Sequence, residues 1–225
     1  ITFFLIGGWL ILHVLDRATK TSPLMRRKLF LLSIISLLVL IDSLGDIFLI
    51  LGIAPESLVS CCTTTTDILN RPTRTTPESI FGPEYAWPLQ AFFFITHLAL
   101  IGFIGVSLKF KTFRKPILGL LFLFSFLNAI LFLLSQIEVF APAMMHLPFH
   151  HCLYCLWQYV PDSIPLFAFF SLGTFSVGWG FTTELFGKHG ETADLLPIYL
   201  RKIYWFAFFF LSASLVMLII HLLVD

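Results

Sequence analysis

All four cysteines of this 225-residue chain fall in two short stretches. Cys61 and Cys62 stand side by side in SCCTTTTD, and Cys152 and Cys155 form a CxxC in HHCLYCLW. The second stretch also gathers Met144, Met145, His146, His150 and His151. Thiolate, thioether and imidazole make a soft-to-borderline donor set that suits Cu(I) or zinc rather than calcium or magnesium. If the segment is helical after Pro148, Cys152 and Cys155 share a face with Leu156, and His151 joins Cys155 at the i to i+4 spacing. Such a face can grip a metal ion or present a dithiol.

Three chemistries compete for these residues. An even cysteine count in an oxidising compartment is ordinarily a disulfide framework. Adjacent cysteines bridge each other only with strain, so Cys61 and Cys62 would pair with Cys152 and Cys155. A soft-metal site would draw on Cys61, Cys62, Cys152, Cys155, His150, His151, Met145 and His146, and it alone uses the methionines and histidines. A thiol–disulfide relay would work through Cys152 and Cys155. The cysteine arrangement is loosely similar to membrane thiol oxidoreductases that pair a periplasmic CxxC with a second loop pair and pass electrons to quinone. It is also similar to small mercury or copper transport proteins with vicinal cysteines. Neither likeness extends beyond the cysteines, and the adjacency of Cys61 and Cys62 departs from the spaced pair of the oxidoreductases. The leading expectation is a protein that binds or conveys a soft metal, copper before zinc. The alternatives are a thiol–disulfide oxidoreductase and a membrane subunit of a respiratory or metalloenzyme assembly with structural disulfides.

A second constellation consists of polar residues in apolar surroundings. Asp42 and Asp46 are four residues apart, hence on one face of a helix, and a carboxylate at such depth costs a few kcal/mol even on lenient insertion scales. Matching the midpoints of the apolar runs puts Asp42, His97, Asn128 and Ser212 at one level, with Asp46 about one turn, roughly 5 Å, nearer the outer side. That layer is expected to act as a proton relay or inner ion station, or as a hydrogen-bond network that fixes helix packing, with His97 the first-choice partner of Asp42. Haem is disfavoured: a b-type haem needs two histidines at matching depth, and His13, His97 and His221 fall near the inner edge, the centre and the outer edge. Gly173, Gly178 and Gly180 with Thr174 and Ser176 read as a close-packing stripe. No phosphate-binding glycine loop, nucleophile elbow or HExxH is present.

The elements that must position these groups follow from composition. With 58% hydrophobic and 12% charged residues and a mean hydropathy of +0.93, the chain has more apolar surface than a water-soluble fold can hide. The apolar residues come in runs of about twenty, the length an α-helix needs to cross roughly 30 Å of hydrocarbon. These runs predict an all-α, single-domain bundle of about six transmembrane helices near residues 1–15, 29–53, 89–108, 117–138, 164–186 and 203–223. Segments 16–28, 109–116 and 187–202 carry twelve of the fourteen Lys and Arg, whereas 54–88 and 139–163 carry only Arg71 and Arg74. By the rule that cytoplasmic loops retain positive charge, loops 54–88 and 139–163 are expected to lie outside the cytoplasm. The expected location is the bacterial inner (plasma) membrane. The expected partners are the lipid bilayer and a membrane or extracytoplasmic protein. A net charge of +1 gives nucleic acid nothing to bind.

Overall fold

The computed structural model describes residues 2–52, 84–146 and 151–224. Among the described residues every regular element is helical. They are α1 (Thr2–Arg17), α2 (Met25–Gly52), α3 (Ala86–Phe110), α4 (Lys115–Ser135), a π-helical segment (Gln136–Phe140), α5 (Ala141–Met144), α6 (Leu153–Tyr159), α7 (Ser163–Gly187), a 3-10 turn (Gly190–Thr192) and α8 (Leu196–Val224). Five helices are long and apolar enough to cross a bilayer: α2, α3, the continuous Lys115–Met144 stretch, α7 and α8. The sixth expected span corresponds to α1, whose described residues, Thr2–Arg17, do not place it among these five. Two expected boundaries also move. The fourth helix runs on through the π segment to Met144, and α8 begins at Leu196 instead of near 203. Arg201 and Lys202 interrupt the apolar run but not the helix, because long cationic side chains can snorkel away from hydrocarbon.

The core is built by α3, α4, α7 and α8. The tightest contact is between α7 and α8. A side chain added at Gly173 would meet Leu211, and one at Gly180 would meet the Tyr204 ring at 2.5 Å. The seven-residue repeat in each helix keeps these pairs in register along antiparallel axes, so the glycines serve as the packing face that their spacing suggests. Gly180→Ala is expected to destabilise the bundle by about 1–3 kcal/mol, because Tyr204 is fully buried and has nowhere to move. Gly45→Ala, where nothing lies within 4 Å, should be close to neutral. Unfolding of the two variants in the same detergent compares them directly.

Alongside α7 lies α1, parallel to it: Phe4 meets Gly178, Thr182 faces Gly8, and Leu15 touches Gly187. The described α1 therefore covers only the second half of α7. A latch holds the α1–α2 turn. The Asp16 carboxylate, fully buried, takes the Lys28 ammonium at 2.5 Å and the Leu24 amide at 2.7 Å. Arg27 donates to the carbonyls of Phe186 and Lys188, capping the end of α7. Thr21 donates through its hydroxyl and its amide to the Glu191 carboxylate, and these bonds hold that carboxyl below its ordinary range. Such a contact adds stability above the unfolded carboxylate range and is lost as pH falls through the folded value.

Beyond this latch α2 parts from the bundle. Trp9 donates to the Lys28 carbonyl at 3.1 Å, and following that antiparallel pairing back along α1 sets Thr2 near Ile35, the last buried residue of α2. Every residue from Val39 to Gly52 is exposed.

Candidate functional site

The group at the π-segment end of the bundle is shaped by one proline. Within the apolar run that ends at Ser135, the chain widens into a π segment, and the Ala141 amide bonds back to the Gln136 carbonyl. The next residue, Pro142, has no N–H to offer the carbonyl five positions back, that of Ile137. His151 fills the vacancy, with Nδ1 2.9 Å from the Ile137 carbonyl oxygen. A carbonyl only accepts, so Nδ1 carries the proton, and in the neutral ring Nε2 keeps its lone pair. This backbone anchor is the orientation that metal-ligating imidazoles ordinarily have.

Cys152 follows directly and takes the N-cap position of α6 in an extended conformation. Cys155 is buried one turn on, beside the fully buried Leu156. Because the helix starts at Leu153, His151 precedes it. The expected helical i to i+4 relation between His151 and Cys155 does not hold, and the histidine is placed by the π segment instead. Met144 is buried at the end of α5, and Met145 packs against the same core as Leu153 and Val160 of the α6 region. His146 is exposed and closes α5 in a left-handed conformation (φ 54°). Cys61, Cys62 and His150 lie outside the described residues. Among the described residues no group of three or more His, Cys, Asp or Glu side chains converges to hold a metal.

The second group lies in the middle of the bundle. His97 is completely buried between α3, α4 and α8, with Nδ1 2.8 Å from the Asn128 side-chain oxygen and Nε2 3.1 Å from the Leu211 carbonyl. The Asn128 amide nitrogen donates to the Thr96 hydroxyl at 3.1 Å, and that hydroxyl donates to the helix carbonyls of Phe92 and Phe93. A protonated ring satisfies this arrangement as it stands, donating on both sides. A neutral ring donates from Nε2 to Leu211 and accepts at Nδ1, which requires the Asn128 amide turned end for end so that Thr96 donates to its oxygen. The network closes in both states by a half-turn of one amide.

Asp42 and Asp46 take no part in this layer. Both lie on the exposed stretch of α2, with no hydrogen bond or ion pair among the described residues, so the expected pairing of Asp42 with His97 is corrected. Depth matching sets the level of a residue but not its direction around the helix. His13 stacks on Trp9 at 5.1 Å, and His221 lies 3.1 Å from the Asp162 carboxylate, at levels different from that of His97.

Between the two groups stands a layer of rings. Phe93 and Phe170 flank His97, with centroids at 5.3 and 5.7 Å, Phe132 stacks on Phe170 at 3.6 Å, and Phe140 closes on Phe93. This layer lies on the side of His97 that leads to the π segment. An ion crossing it would have to shed its ligands in apolar surroundings.

Several polar groups of this interior are absent from the sequence-based expectation. Thr96 and the Leu211 carbonyl complete the His97 network, and the Ile137 carbonyl anchors His151. Gln136 is fully buried with both amide atoms unpartnered among the described residues, as are the hydroxyls of Ser125 and Ser135. The signal for those near the π segment was present as a Ser-Gln pair inside an apolar run followed by a proline.

Searches against protein-family models, curated proteins and solved structures each return no match to this chain. The class rests on the molecule itself: an all-helical bundle with five helices of membrane-crossing length and composition, the build of an integral membrane protein.

Proposed function

We propose that this chain binds a soft metal ion, copper before zinc, at the end of the bundle that carries His151, Cys152 and Cys155, and that this end faces away from the cytoplasm of a bacterial cell. The observation that carries the reading is the His151 anchor: the Ile137 carbonyl, orphaned by Pro142, fixes the proton on Nδ1 and leaves Nε2 as a donor on the residue that immediately precedes Cys152. Met144 and Met145 add thioethers at the same end, and Cys61 and Cys62 of the first loop are candidates to complete the shell. The orientation is supported by the concentration of Lys and Arg at the opposite end. The aromatic layer favours holding the ion at the surface over passing it down the bundle, and His97 then serves as a proton-holding station separate from the ion. Titration of the reduced, detergent-solubilised protein with Cu(I) against a chromogenic chelator tests the reading. A single bound ion is expected, and Cys152→Ser or His151→Ala should weaken it by at least about tenfold. Unchanged affinity in both variants would remove the site.

A second reading, a subunit that docks a partner membrane helix, is favoured by α2. Asp42 and Asp46 project from a fully exposed stretch, and carboxylates facing lipid are costly unless a donor meets them. Charge complementarity selects a transmembrane helix with a Lys or Arg at that depth. In vesicles, a polyleucine helix with one central lysine is expected to show energy transfer to labelled α2, abolished in the Asp42→Asn/Asp46→Asn protein. Association of an all-leucine helix to the same extent would contradict it.

A further inference from the structure

The basic end of the bundle contains a cavity of about 810 Å³ between the α3–α4 turn and the α7–α8 connection. We propose that it is a binding site for a phosphate-bearing ligand, in the first place the headgroup of an anionic phospholipid. Three cations from two connections line it: Lys111 and Arg114 from the α3–α4 turn, and Lys188 after α7, with His189 beside them. All three cations are exposed, and none is in a salt bridge among the described residues. Against them stands one lining carboxylate, Glu184, which interacts with Lys188 one turn on and with Lys115. Lys111 and Arg114 are left without an acidic counterpart. Charges that only needed to stay in water would not require a concave setting.

Two features of the backbone point the same way. Lys111 ends α3 in the left-handed conformation, with φ 51° and its amide on the Ser107 carbonyl. Glycine is the residue that adopts this cap without strain, so a lysine here keeps a cation at the rim against a backbone preference. Arg114 is the N-cap of α4 and provides no side-chain cap, while Pro116 occupies the first turn. The first-turn amides and the helix dipole therefore add positive potential next to the guanidinium.

The floor is apolar. Phe113, Leu196 and Leu200 line it, with Phe113 stacked on the buried Tyr204 at 5.7 Å. A phosphodiester at the rim with glycerol and upper acyl carbons on this floor would match both halves of the cavity, as basic pockets between membrane helices match lipid headgroups. The site needs a bilayer around the bundle and nothing from the metal end.

Native mass spectrometry of the detergent-purified protein, offered phosphatidylglycerol or phosphatidylcholine, tests the assignment. Retention of phosphatidylglycerol over phosphatidylcholine is expected. The Lys111→Gln/Arg114→Gln/Lys188→Gln protein should lose it by on the order of a hundredfold, since each cation contributes about fivefold at a charged surface. Removing three charges elsewhere at the same end, in Arg17→Gln/Lys20→Gln/Arg26→Gln, should leave retention within about threefold of the parent. Inorganic phosphate separates the sources: failure of millimolar phosphate to displace the lipid identifies the headgroup, whereas displacement that the triple variant abolishes identifies a soluble phosphate compound. Equal retention of the two lipids with no phosphate binding, or equal losses in the two triple variants, would overturn the proposal.

Discussion

Asp16→Ala is expected to be the most damaging single substitution in the bundle, lowering stability by about 3–5 kcal/mol. The magnitude comes from what is left behind. Asp16 is fully buried and the Lys28 side chain is 5% exposed, so removing the carboxylate strands an ammonium that cannot reach water without opening the α1–α2 turn. The Leu24 amide loses its acceptor at the same time, a further contribution of the same kind. A surface pair would contribute little, about 0–1 kcal/mol, and the difference between these ranges is easily measured. Asp16→Ala/Lys28→Met should recover most of the loss, because an apolar pair of similar volume often replaces a buried ion pair at little cost. Denaturant unfolding in detergent checks both proteins. A single variant within about 0.5 kcal/mol of the parent, or a double variant no better than the single, would show that the pair is solvated in practice.

The chain's helices were legible because the bilayer demands long, apolar, self-satisfied elements, and apolar runs of about twenty residues have few other uses. The positions of His97 and Asn128 at one level followed from the same arithmetic, and they hydrogen-bond at 2.8 Å. Asp42 shows what depth alone leaves open. Counting residues from a span's midpoint gives depth, whereas a partner also requires direction around the helix and a neighbour on that side. At Asp42 the described part of α1 has already given out.

Charged residues misled at the other end of the chain. Arg201 and Lys202 mark where the apolar run stops and not where the helix does, so α8 starts earlier than the apolar run. The placement of His151 was beyond reach for a different reason. It depends on an irregular backbone, a π segment followed by Pro142, that leaves one carbonyl unpaired, and helical periodicity carries no record of such a segment. The donors Cys152, Cys155 and His151 were visible as residue types, but the contact that orients the imidazole was not.

The proposed metal site carries the largest expected functional effect. Nε2 of His151 keeps its lone pair because the Ile137 carbonyl holds the opposite nitrogen, and that anchor can be varied separately from the proposed ligands. Replacing Pro142 with Ala gives the Ile137 carbonyl a backbone donor and frees His151 to reorient. Changes to such orienting partners typically lower metal affinity by about 10–100-fold, with the ligating residues intact. A fall of that size in Pro142→Ala, together with normal folding, would tie affinity to the anchor and not to the mere presence of thiols.

The most direct measurement is X-ray absorption at the zinc edge of the reduced protein loaded with zinc, which takes the same donors as copper in a closed tetrahedral shell. Sulfur is expected at about 2.3 Å and imidazole nitrogen at about 2.0–2.1 Å from the ion, with the nitrogen lost in His151→Ala and a sulfur lost in Cys152→Ser. A shell of oxygen alone, or a spectrum that neither substitution changes, would contradict it.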